Sequence, residues 1–127
     1  MRVDRDHVDR WVGGYVGAWR TSGTALLADL FSADVSYVAS PWSEPIVGLN
    51  ALARFWDAER DGPDEGFAFS SELVALDGRT AVVRVAVDYD DADAGHWRDL
   101  WVIRFDRDGR CVAFEEWPFA PHQDDGH

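Results

Sequence analysis

Apolar residues recur mainly at every third or fourth position before Phe67 and at every second position after it, and that change restricts the fold class most. From Val8 to Arg20, Val8, Trp11, Val12, Tyr15, Val16 and Trp19 fall on one helical face. Asp4 or Asp6 is placed to cap this helix, and Thr21, Ser22 and Gly23 end it. A short second helix is expected from Thr24 to Phe31, with Thr24 as its cap. A strand is expected from Asp34 to Ser40, stopped by Pro41. After a turn-rich segment, Leu49, Leu52, Phe55 and Trp56 recur at helical spacing in a third helix, Leu49 to Arg60, broken by Asp61, Gly62 and Pro63.

Strand patterns fill the remainder. Phe67 to Leu76 and Thr80 to Asp90 are joined by Asp77-Gly78, a strong hairpin signal, and His96 to Phe105 and Arg110 to Phe119 are joined at Asp106 to Gly109. Short connections favour antiparallel pairing. Helices first and hairpins afterwards predict an α+β fold whose helices cover one face of a curved sheet. Alternation assigns Val83, Val85, Val87 and Tyr89 to the inner face of one strand and Trp97, Asp99, Trp101, Ile103 and Phe105 to that of the next. Leu100 and Val102 then point outward, where a partner chain is one candidate to cover them.

A length of 127 residues suits one domain spanning the whole chain, residues 1–127. The net charge of −12 repels phosphate backbones and anionic membranes, so no nucleic acid and no membrane partner is expected. The charged N-terminus lacks the apolar core of a signal peptide, and nowhere is there an apolar run of membrane-spanning length, which predicts a cytoplasmic protein. Cys111 is the sole cysteine, and His7, His96, His122 and His127 occur singly, so neither a disulfide nor a metal site is expected. No cofactor motif occurs either, since the Gly13-Gly14 pair lies inside a helix and is better explained by close helix packing.

Asp99 is the most informative candidate for chemistry. A carboxylate on the face of Trp97 and Trp101 is either buried, which raises its pKa toward the range useful to an acid or base, or solvated at a strand end beside Arg98 or Arg104. Glu116 joins it if Val112 and Phe114 face inward, whereas the opposite register turns Glu115 and Trp117 inward. On adjacent antiparallel strands Asp99 and Glu116 would form a carboxylate pair able to share a proton. Tyr15, on the apolar face of the first helix, needs a hydrogen-bond partner in the core or on a ligand. Trp19, Trp42, Trp56, Trp97 and Trp101 are core or the wall of an aromatic concavity. Phe55, Val85, Val87 and Tyr89 are placed with that wall.

Tyr15-Val16, Leu30-Phe31 with Asp34, Ser40-Pro41 and Ser43-Glu44-Pro45 occur in that order, followed by Gly48 with Leu52, Phe55 and Trp56. Arg98-Asp99-Leu100-Trp101 and Arg104-Phe105 with Gly109 complete a pattern that resembles the nuclear transport factor 2-like superfamily, in its SnoaL-like and ketosteroid-isomerase-like branch. The resemblance covers nearly the whole chain. It implies three helices over a strongly curved mixed, mostly antiparallel sheet closed into a cone, with a pocket at the wide end and a homodimer through the outer sheet face.

The same resemblance matches Tyr15 to an oxyanion-hole tyrosine. It puts Ser40 where the steroid isomerases carry their aspartate base, and Trp101 where they carry a second acid, with Asp99 one inward step earlier. Adjacent Arg98 and Asp99 do not fit the arginine and aspartate two apart in the epoxide hydrolases of this fold, and the two pocket histidines of its dehydratases are not evident. A cyclase needing one pocket acid, Asp99 or Glu116, is compatible. The expectation is a small, largely apolar, ring-containing ligand bound without cofactor, with isomerase, cyclase or lyase chemistry by acid–base catalysis. The alternative is a noncatalytic dimeric binding or interaction module.

Overall fold

The computed structural model describes residues 2–60 and 66–124. Helix α1 (Arg5–Trp19) begins at Asp4, whose carboxylate accepts from the His7 N–H at 2.9 Å. Helix α2 is a single turn (Leu27–Leu30) and leads directly into strand β1 (Phe31–Val38). The short strand β2 (Ile46–Val47) precedes helix α3 (Leu49–Glu59), and strands β3 (Phe67–Asp77), β4 (Thr80–Tyr89), β5 (His96–Phe105) and β6 (Cys111–Phe119) follow. The break expected at 61–63 lies outside the described residues.

The second helix and the first strand differ most from the sequence expectation. The second helix does not run from Thr24 to Phe31, because Phe31 adopts extended backbone and pairs with Cys111. The first strand accordingly starts at Phe31 and ends at Val38 rather than Ser40. The strands form one mixed, curved sheet in the order β2-β1-β6-β5-β4-β3, in which only β1 and β6 run parallel. Among the described residues β2 and β3 remain edges, so the sheet is an open one, consistent with the expected cone.

The inner face follows the alternation. Val83, Val85, Trp101, Ile103, Phe105 and Phe114 are buried, and α1 lays Val8, Trp11, Val12 and Tyr15 against them. Bulges bend β3 near Val74 and β6 near Val112. The second bulge corrects one inward assignment: Cys111 is fully buried and Val112 only half-buried, while Phe114 and the residues beyond keep the expected side. At one end His7 closes the structure, edge-on to Phe105 and bonded to the Gly109 carbonyl at 2.8 Å. A Cβ on Gly14 would meet the Leu30 side chain at 2.8 Å, so close packing of α1 on α2 explains that glycine, whereas Gly13 faces open space. Arg60 ties α3 to the opposite end of α1 by donating to the carbonyls of Ala18 and Gly23, both at 3.1 Å. No described helix is long and apolar enough to cross a membrane.

Candidate functional site

Toward the Trp19 end of α1 the sheet and helices diverge, leaving a cavity of about 390 Å³ between α1, α3 and the inner face of β1, β3, β4, β5 and β6. Six hydroxyl and carboxyl side chains line it, Tyr89 and Glu59 together with four that meet on its inner side. Tyr15 and Tyr37 reach it from α1 and β1, their hydroxyls 2.9 Å apart in a buried hydrogen bond. Asp99 and Glu116 reach it from β5 and β6. Asp99 pairs in register with Pro118 and Glu116 with Trp101, so the two acids are diagonal neighbours on the inner face, close enough for a carboxyl-to-carboxyl hydrogen bond.

Asp99 is only 5% exposed, and Arg98 turns away from it to Asp88 on the outer face at 2.9 Å. Of the two sequence readings for Asp99, burial among aromatic rings is the observed one. Its Oδ1 is buried without a donor. Glu116 holds its proton well above the ordinary glutamate range, first because burial disfavours the charged form, then through hydrogen bonding to Asp99 and repulsion by its charge. Trp101 acts in the opposite direction, although its Nε1 completes no hydrogen bond of good geometry. Glu116 is therefore the member of the pair held in its protonated form. Tyr15 and Tyr37 are likewise pushed well above the ordinary tyrosine pKa, chiefly by burial, and remain neutral donors.

Glu116 makes stability depend on pH. Its folded-state pKa is raised, so its contribution is full below the unfolded glutamate pKa of about 4.3 and is lost as pH rises through the folded value. Glu116→Gln, which cannot ionise, should become more stable relative to the parent as pH rises, by about 1.4 kcal/mol for each pH unit between those two pKa values. Thermal melts of both proteins between about pH 5 and about pH 9 check this, and a stability difference that stays constant across that window would place the proton elsewhere.

The other candidates divide. Trp19, Phe55, Val87, Tyr89, Trp97 and Trp101 line the cavity with the acids and Tyr15. Trp56 and Val85 do not: they are 0% and 1% exposed, one layer behind the wall, with Trp56 edge-on to Tyr15 at 5.0 Å and to Trp19 at 4.9 Å. Trp42 is 97% exposed on the loop after Pro41 and contributes nothing to the wall. Ser40 also lies outside it, hydrogen-bonded to Ser43 at 2.7 Å, because Tyr37 and Ala39 take the inward positions. Sequence reasoning missed Tyr37 as a site residue, although its position two after the buried Val35 was the available signal. It also missed Glu59 at the end of α3 and Phe67 and Phe69 on β3.

His96 is exposed and bonded to Asp88 at 2.9 Å, away from the cavity. Cys111 is buried, which pushes its thiol pKa up and leaves it a small core residue. Among the described residues no group of three or more His, Cys, Asp or Glu side chains is arranged to hold a metal ion. The chain contains no lysine, so no lysine Schiff base can form. The arrangement present suits proton transfer: two carboxyl groups, of which Glu116 holds its proton, and a hydrogen-bonded pair of tyrosine hydroxyls around one space.

Solved structures similar to this chain share its fold at low sequence identity. An NTF-2 like protein of unknown function from Burkholderia xenovorans superposes with a TM-score of 0.67 at 15% identity, over 96% of this chain and 87% of that one. A steroid delta-isomerase from Pseudomonas aeruginosa gives 0.66 at 19% identity, over 94% and 83%. An LEH-like epoxide hydrolase from M. tuberculosis gives 0.65 at 14% identity, over 90% and 84%. Comparison with curated proteins finds no match. The family model for the SnoaL-like domain matches residues 12–114, from the middle of α1 to the buried Phe114 of β6, and this chain therefore belongs to the SnoaL-like domain family.

Proposed function

We propose that the chain binds a small, largely apolar, ring-containing molecule in this cavity and catalyses a cofactor-independent proton transfer of the isomerase or cyclase type. The observation that carries the reading is the buried Asp99 and Glu116 pair in one cavity with the bonded Tyr15 and Tyr37 hydroxyls. Asp99 takes a proton from carbon next to a carbonyl. The electron pair moves to the carbonyl oxygen, which a tyrosine hydroxyl polarises and Glu116 protonates; Asp99 then returns a proton to carbon while Glu116 takes back the enol proton. Ser40, outside the cavity, has no part in this. A general test is exchange of the α-protons of 2-cyclohexenone in D2O, followed by proton NMR. Acceleration by the wild-type chain is expected, and none at all would leave a binding module without this chemistry.

The same reading includes a homodimer through the outer sheet face. Leu100 and Trp117 are cross-strand partners, each 39% exposed, and Phe119 beside them is 52% exposed. Together they form an apolar surface that a second copy would cover. Sedimentation at about tens of micromolar should give a dimer, and Trp117→Arg, a charge at the centre of that surface, should shift it to monomer. A wild-type monomer would sink the assignment.

A further inference from the structure

We propose that the ligand of this cavity is an organic cation, a small apolar molecule carrying a protonated amine held by Asp99 among aromatic rings. The inference rests on the small-molecule reading above and specifies the class of molecule. Three observations carry it.

Aromatic rings form most of the cavity wall, and the acidic groups stand at two levels, Asp99 and Glu116 deep and Glu59 near the exposed end of α3. No arginine or histidine is among the described lining residues, although Arg20, Arg60, Arg84 and Arg98 lie in or at the ends of the elements around the cavity. Each of these is engaged elsewhere. Arg20 donates to the Phe67 carbonyl at 2.6 Å with its guanidinium over that ring, 4.2 Å from the centroid. Arg60 is spent on the carbonyls that end α1, Arg98 on Asp88, and Arg84 on Glu72. Acidic groups thus surround an apolar space in which no described lining residue is a cation.

Asp99 lines this space with a side chain more than nine-tenths buried, and its Oδ1 lacks a donor. A buried acceptor left unmade is costly, and an ammonium offers three donors and no acceptor. It also brings the charge that the carboxylates lack and that the faces of Trp and Tyr rings attract. A ligand carboxylate would meet like charge at both levels. A neutral alcohol could satisfy Oδ1 but would gain nothing from the rings or from Glu59.

The test is titration of the full chain at neutral pH, by quenching of its tryptophan fluorescence, with 2-phenylethylamine, 2-phenylethanol and 3-phenylpropanoate. The amine should bind about tenfold more tightly than the alcohol, and the carboxylate least tightly. Asp99→Asn should remove the advantage of the amine. Glu59→Gln, on the exposed end of a helix where folding is not at stake, should weaken the amine about two- to threefold and more than it weakens the alcohol. An alcohol that binds as tightly as the amine, or a carboxylate that binds best, overturns the cation proposal and leaves the cavity as a small-molecule site. Failure of all three compounds to bind overturns both.

Discussion

Asp99→Asn is expected to slow proton exchange on 2-cyclohexenone by about a hundredfold or more, because the single change disables both partners of the carboxyl pair. Asparagine cannot accept the proton from carbon. It also removes the negative charge that helps keep Glu116 protonated, so Glu116 moves back toward the ordinary glutamate range and loses part of its capacity as an acid. The return is partial, since burial, the larger cause of the raised pKa, remains. Glu116→Gln tests the other partner alone and should cost less, because Asp99 is still present as base. Asp99→Asn should fold, since it keeps the shape of a residue that forms no ion pair with its neighbouring arginines. Exchange by the Asp99→Asn chain at the parental rate, with far-ultraviolet circular dichroism unchanged, would remove Asp99 from the chemistry.

That pair was legible in the sequence to the extent that its strands are regular. The β5 pattern runs unbroken from His96 to Arg104, so counting in twos from Trp101 puts Asp99 inside. In β6 a bulge adds one residue between Cys111 and Ala113, and counting forward from Val112 rests on a residue that is not itself fully inside. Glu116 nevertheless falls on the side of Phe114, and the rival register is excluded by Trp117, 39% exposed beside Leu100.

The misplacements have other physical causes. Phe31 suits the apolar face of a helix and the start of a strand equally well. Its parallel partner Cys111, eighty residues away, decides the matter, and no local pattern shows it. Trp42 falls with the wall in a sequence reading because aromatic side chains favour burial, but Pro41 and the Ser40–Ser43 turn carry it off the sheet. Periodicity reports which face a residue occupies and not how deep it lies, so Trp56 and Val85 could not be separated from the wall in front of them.

Depth matters most for Trp56, and Trp56→Ala is expected to lower folding stability by about 3 to 5 kcal/mol. The side chain is fully buried and holds Tyr15 and Trp19, both cavity residues, on its edges. Removing it takes away one of the largest apolar areas in the core and leaves a void that neighbouring rings fill incompletely. For a chain of this size the loss corresponds to a fall in Tm of about 10 to 20 °C. Trp56→Phe should cost much less than alanine, because it keeps most of the ring and removes an indole N–H that is buried with no acceptor. Had Trp56 formed the cavity wall, truncation would enlarge the binding space at little expense in stability. Urea unfolding separates the two: a drop in midpoint at unchanged slope marks a core residue, and an unchanged midpoint with altered ligand affinity would return Trp56 to the wall.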